Sequence, residues 1–192
     1  GVVALAIFGF AFELRLDNVR QVAPGALWVA LAFAGVLGLN RSLAREREDG
    51  CLEGLLLAPL DRGIIYVAKA TSSMFLMAGT GLIILPLFTA LFGVNVLRPD
   101  LLVVLLLGTM GLAAVGTLLS AMAAHTRARD VLLPGLLLPV ALPLLIAATR
   151  ATAGLLDGRG LAGVAGWLRL MVAFDVTFAA ISYLLFGHIV ED

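Results

Sequence analysis

The chain has few of the residues on which most soluble chemistry depends. Its one cysteine, Cys51, excludes an internal disulfide, a cysteine zinc cluster and a CxxC redox pair. The only histidines are His125 and His188. Neither they nor Cys51 nor Met74, Met77, Met110, Met122 and Met171 fall at a ligand spacing such as HxxxH or CxxCH, so no metal site is assigned. Charged residues make up 14% of the chain, whereas soluble domains average about 25%. The 13 Lys and Arg cancel the 13 Asp and Glu, so net charge offers nothing to attract nucleic acid. There is no GxxxxGK[ST] phosphate loop and no Ser/His/Asp set outside the apolar runs. No catalytic residue is assigned, and if ATP drives the chain, another polypeptide hydrolyses it.

What the chain has in abundance is hydrocarbon. Of 192 residues, 61% are apolar, and the mean hydropathy is +1.08. A globule of this size cannot hide that much apolar surface, so lipid has to do the burying. With about 20 residues needed per crossing, the pattern predicts an all-α, polytopic integral membrane helix bundle of six spans in a single transmembrane domain. The spans are expected at residues 1–12, 24–39, 64–93, 101–124, 131–149 and 167–187. The first is expected to be truncated, because Gly1 opens in an apolar run already under way. Pro24 and Pro99 are expected in the first turns of their helices, where the missing N–H costs nothing. Pro86 is a candidate kink. Pro134, Pro139 and Pro143 crowd the fifth span at a density that only a membrane bundle tolerates.

Six spans place both termini on one side, with the second–third and fourth–fifth loops. That side holds Arg41, Arg45, Arg47, Arg62, Arg127, Arg129 and Lys69; the other holds Arg15, Arg20, Arg98, Arg150, Arg159 and Arg169. The balance is too even to orient the chain by its positive loops. Aromatic residues favour membrane interfaces, which predicts Trp28 and Trp167 at one face and Tyr66 at the other.

Charge is concentrated in residues 40–63. The run continues as a helix with Arg45 and Asp49 on one face, until Pro59 stops it. It reads either as a solvated loop or as a docking helix for a cytoplasmic partner. The mixed signs of Arg45, Glu46, Arg47, Glu48 and Asp49 suit position-specific pairing, whereas a lipid-binding segment is mostly basic. Lys69 and Asp175 are the ionisable groups well inside apolar runs. Lys69 is expected either to snorkel to its span's end or to serve a transport path; Asp175 is expected either to reach the outer surface or pair with Arg169, or to serve a transport path. Small residues at helical spacing, Ala26, Ala30, Ala34 and Gly38, then Gly116, Ser120 and Ala124, mark faces where helices approach closely.

Residues 39–69 resemble the signature region of the haem exporter B family, CcmB. The resemblance rests on residues 45–50 (REREDG), on Leu52 and Glu53 followed by an elbow at 55–59, and on the IYVAK run ending at Lys69. Weaker likeness continues in residues 24–28, in the proline-rich fifth span and in residues 174–192. The resemblance implies an ABC-exporter-like permease of the bacterial inner membrane, serving c-type cytochrome biogenesis, with cytoplasmic termini. It implies that Arg45, Glu46, Arg47, Glu48, Asp49, Gly50 and Glu53 face a separate ATPase subunit, with Arg127 and Arg129 as a second contact. A second haem-handling membrane subunit and a periplasmic haem chaperone are further implied partners. Haem is then a possible substrate rather than a resident cofactor, and ATP acts only through the partner. The alternatives are an ABC permease for a lipid, drug or polysaccharide, and an ATP-independent carrier using Asp175 as its coupling carboxylate.

Overall fold

The computed structural model of the chain describes residues 16–48, 62–92, 98–123 and 129–189. Five long helices and one short one occupy them: α1 (Leu16–Glu48), α2 (Arg62–Phe92), α3 (Pro99–Ala123), α4 (Arg129–Leu156), α5 (Gly160–Gly163) and α6 (Ala165–Ile189). Four contain stretches long and apolar enough to cross a membrane: Tyr66–Ala90, Pro99–Ser120, Gly135–Leu156 and Ala165–Leu185. α1 contributes a shorter apolar stretch, Val22–Gly38. Helices are the form such runs take because, away from water, each must satisfy its own backbone. The all-α membrane bundle expected from composition is therefore what forms. The expected first span, residues 1–12, lies outside the described residues.

The packing partners give the direction of each helix. Tyr66 of α2 meets Ala114 of α3, and Gly81 faces Leu105, so these two are antiparallel. Gly111 of α3 faces both Leu144 of α4 and Asp175 of α6. Arg98, beside the start of α3, bonds Leu155 at the end of α4. α1, α3 and α6 thus run one way, and α2 and α4 the other. One end of the bundle gathers Glu48, Arg62, Ala123 and Arg129. The opposite end gathers Phe92, Pro99, Leu156 and Ala165.

α3 is the centre. Of the most apolar 18-residue window of α3, 72% is buried, whereas the same window of α6 is only 17% buried. The core is built of Leu, Ala and Val from all five long helices, with Trp28 and Phe88 as its largest side chains. Phe75, Leu82, Ile83, Val176 and Leu184 point outward, as lipid-facing residues should.

Two boundaries differ from the hydropathy reading. Pro24 lies inside α1, two turns beyond Leu16. The polar stretch before it is helical as well, because a buried proline amid packed helices costs one backbone bond without ending the helix. Pro139 and Pro143 likewise sit in an unbroken α4, on its exposed side. α4 also runs past residue 149 to Leu156. Thr152 is buried there, with its hydroxyl donating to the Ala148 carbonyl at 2.8 Å, while Arg150 points outward. The turn that follows is tight: Gly158 has φ +81° and its N–H bonds Leu155, while the Arg159 N–H bonds Gly154, both at 3.0 Å. A left-handed glycine closing a helix in this way satisfies its last carbonyls.

Candidate functional site

The described part of the charged segment, residues 40–48 and 62–63, lies at the end of the bundle where α1 leaves and α2 enters. Arg45, Glu46, Arg47 and Glu48 form the last turn of α1, and Arg129 opens α4 at the same end. Ten residues of α1 follow Gly38, so the helix projects about 15 Å past its apolar stretch. The two expected contact elements therefore converge on one end, and α1 reaches furthest. Asp49, Gly50, Glu53 and Arg127 lie outside the described residues.

α1 transmits its position through close packing. A Cβ added at Gly38 would come within 2.9 Å of Leu76, and one at Gly35 within 2.7 Å of the Met77 terminal methyl. Ala26 and Ala30 are almost wholly buried. The small-residue face read from the sequence is thus where α1 meets its neighbours, and on α3 Gly116 and Ser120 are buried too.

Both aromatic anchors lie at the ends expected of them, yet inside the bundle rather than against lipid. Trp28 is 2% exposed. Its indole N–H donates to the Thr152 hydroxyl at 3.0 Å, and its six-membered ring fills the space where Gly108 has no side chain. Tyr66 is buried as well, donating to the Ala114 carbonyl at 3.3 Å beside the Ser182 hydroxyl. An amphipathic ring satisfies its polar atom on a neighbouring helix as readily as in the headgroup layer. Of the three aromatic residues only Trp167 is exposed, at 38%, in the first turn of α6.

Asp175 departs most from expectation. It neither reaches the surface nor pairs with Arg169, which is itself exposed. The carboxyl is 2% exposed and packs against Gly111 of α3 beside Leu144 of α4. Neither oxygen has a hydrogen-bond partner among the described residues. The hydroxyls of Thr117 and Ser120 are buried and likewise have no hydrogen-bond partner among the described residues. Lys69 lies two turns into α2, half-buried and engaged in a contact of its own. Sequence reading passed over Gly108, Gly111 and Thr152. The signal available was two glycines three apart in a Leu-rich span, each opposite a bulky or polar side chain.

No group of three His, Cys, Asp or Glu converges among the described residues. Apolar helices around a buried core, with a charged helical end that runs on past the apolar stretches, define a polytopic membrane helix bundle. The chain belongs to the CcmB family: the profile for CcmB protein matches residues 1–191. Heme exporter protein B of Pseudomonas aeruginosa is 30% identical over 177 residues, which cover 91% of this chain and 79% of that protein. Heme exporter protein B of Rhodobacter capsulatus is 31% identical over 190 residues, covering 97% and 83%. That of Paracoccus denitrificans is 32% identical over 167 residues, covering 86% and 74%. The family read from residues 45–50 and their surroundings is the one these matches give.

Proposed function

We propose that the chain is the transmembrane subunit of a haem exporter in c-type cytochrome maturation, and that it contributes no catalysis of its own. The observation that carries this is family membership over nearly the whole chain. The three relatives share one name, heme exporter, which favours haem over a lipid, drug or polysaccharide. Haem stands here as substrate, and ATP is hydrolysed by a separate ABC ATPase chain. A second haem-handling membrane subunit and a periplasmic haem chaperone complete the machinery implied by the family resemblance.

In this reading the bundle lies in the bacterial inner membrane, with its charged end in the cytoplasm. Arg45, Glu46, Arg47, Glu48, Asp49, Gly50 and Glu53 dock the ATPase, with Arg127 and Arg129 beside them. Closure of the ATPase dimer displaces the segment between α1 and α2. Because α1 grips α2 through Gly35 and Gly38, that displacement rocks the pair against α3 and alters access on the far side.

Reversing the charges of Glu46, Glu48 and Asp49 tests the docking. The expected result is loss of the co-purifying ATPase and of mature c-type cytochromes, with the subunit still inserted in the membrane. Retention of both by the triple variant overturns the docking assignment.

A further inference from the structure

Asp175 sits at the middle of its helix, ten residues after Ala165 in a spanning stretch that ends at Leu185. It is about 15 Å from either boundary, too far for an aspartate to snorkel. α6 turns most of its surface outward, yet this side chain lies on its narrow buried stripe with Met171 and Ser182, four and seven residues apart and so on one face. The carboxyl occupies the hollow left by Gly111, where a Cβ would also come within 2.6 Å of Leu144.

No neighbouring helix supplies a counter-charge. On α3 the only ionisable residue is Asp100, held by Arg98 at 2.8 Å near the bundle's end. On α4 the group nearest in sequence to Leu144 is Arg150, which faces outward. α2 carries Arg62 in its first turn, Tyr66 beside Ser182, and Lys69 less than one turn further in; Tyr66 and Lys69 are engaged, and neither Asp175 oxygen has a hydrogen-bond partner among the described residues. α5 carries none, and the Asp157–Arg159 pair lies in the turn before it. On α6 itself Arg169 and Tyr183 point away, and His188 lies in the last turn. An ionised carboxylate without partners in hydrocarbon costs several kcal/mol, and a neutral acid far less. The packing of α6 against Gly111 and Leu144 is therefore compatible with the acid form, whereas a seam opened to water accommodates the carboxylate. α6 is the least buried of the four apolar helices, so more of its surface meets lipid, which gives way more readily than packed protein.

We propose that Asp175 is a proton-binding site inside the bundle: it takes up a proton from water while the seam is open, holds it when α6 closes on Gly111 and Leu144, and releases it when the seam opens again. On loading, a carboxylate oxygen forms an O–H bond with a proton from hydronium and releases one water. On opening, the proton returns to water and nothing is oxidised or reduced.

Two measurements on the full chain in lipid nanodiscs test this. Dicyclohexylcarbodiimide adds covalently to protonated carboxyl groups in apolar surroundings. The peptide containing Asp175 is expected to gain one adduct in mass spectra at acidic pH and to lose it progressively as the pH rises; absence of the adduct at every pH overturns the proposal. Spin labels at the outward-facing Ile146 and Val176, in a Cys51→Ser background, then report the seam. The wild-type carboxyl is expected to give two distance populations whose ratio changes by up to about tenfold per pH unit, the limit for one linked proton. Asp175→Asn, which keeps the shape but cannot ionise, is expected to hold the short distance at every pH. A pH response unchanged in Asp175→Asn, or absent from the wild type, overturns the proposal.

Discussion

The indole N–H of Trp28 reaches the hydroxyl of Thr152, 124 residues away in sequence, at 3.0 Å, and the same ring lies where Gly108 lacks a side chain. Three helices are joined at that point. The hydroxyl accepts from Trp28 while donating to Ala148, so it is fully used. Trp28→Phe removes one buried hydrogen bond and leaves Thr152 with its other, at a cost of about 1–2 kcal/mol. Gly108→Ala forces the rigid ring aside and is expected to cost about 3 kcal/mol or more. Thermal unfolding in nanodiscs measures both. In a Trp28→Leu background the Gly108→Ala penalty is expected to shrink by at least half, because the two sites share one contact.

A flexible neighbour changes the outcome. Gly35 faces the terminal methyl and sulfur of Met77, atoms that swing away at little cost. Gly35→Ala is therefore expected to lower stability by about 1 kcal/mol or less, well under the cost at Gly108. Equal penalties at the two glycines would refute this account of α1 packing.

At the other end, Tyr66 and Ser182 are chemically close but energetically unequal. The Tyr66 hydroxyl donates to Ala114, whereas that of Ser182 makes no well-formed bond. Tyr66→Phe is expected to cost about 1 kcal/mol, and Ser182→Ala to be neutral or slightly stabilising. Chemical denaturation of the reconstituted chain ranks them.

Arg98 ties the start of α3 to the end of α4, pairing with Asp100 at 2.8 Å and donating to the Leu155 carbonyl at 3.3 Å. Its side chain is 39% exposed, so solvent weakens the ion pair. Arg98→Ala is expected to cost only about 0.5–1 kcal/mol. Lysine is not expected to restore it, because an ammonium lacks the fork that serves two acceptors at once.

Cys51 is the chain's single thiol, which makes it a native probe of orientation. A membrane-impermeant maleimide is expected to label it in inside-out vesicles and not in intact spheroplasts. The reverse pattern contradicts a cytoplasmic docking end.

How far the fold could be read from sequence depended on which force set each feature. Spans 64–93 and 101–124 were legible because solvation by lipid imposes hydropathy on every residue, and α2 and α3 match them closely. The start of α1 was not legible, because the helix runs through polar residues and Pro24, where hydropathy and local propensity both point to a break. The end of α4 was missed for a related reason: Thr152 reads as polar but is paid in full by Ala148 and Trp28. The direction of Asp175 depends on α3 placing Gly111 opposite it. That is a property of two segments brought together, which neither shows alone. The charged segment, by contrast, was conspicuous because a membrane chain has so few other places for charge.

The length of α1 has a mechanical meaning. Clamped at Trp28, the helix has a short arm of 12 residues back to Leu16 and a long arm of 20 residues out to Glu48, about 18 and 30 Å. A tilt of about 10° about that clamp would move the charged tip by about 5 Å, and the Leu16 end by about 3 Å in the opposite direction. In the proposed docking the helix would act as a lever pivoting at an indole ring, geared so that a larger displacement of its charged tip becomes a smaller one at its other end.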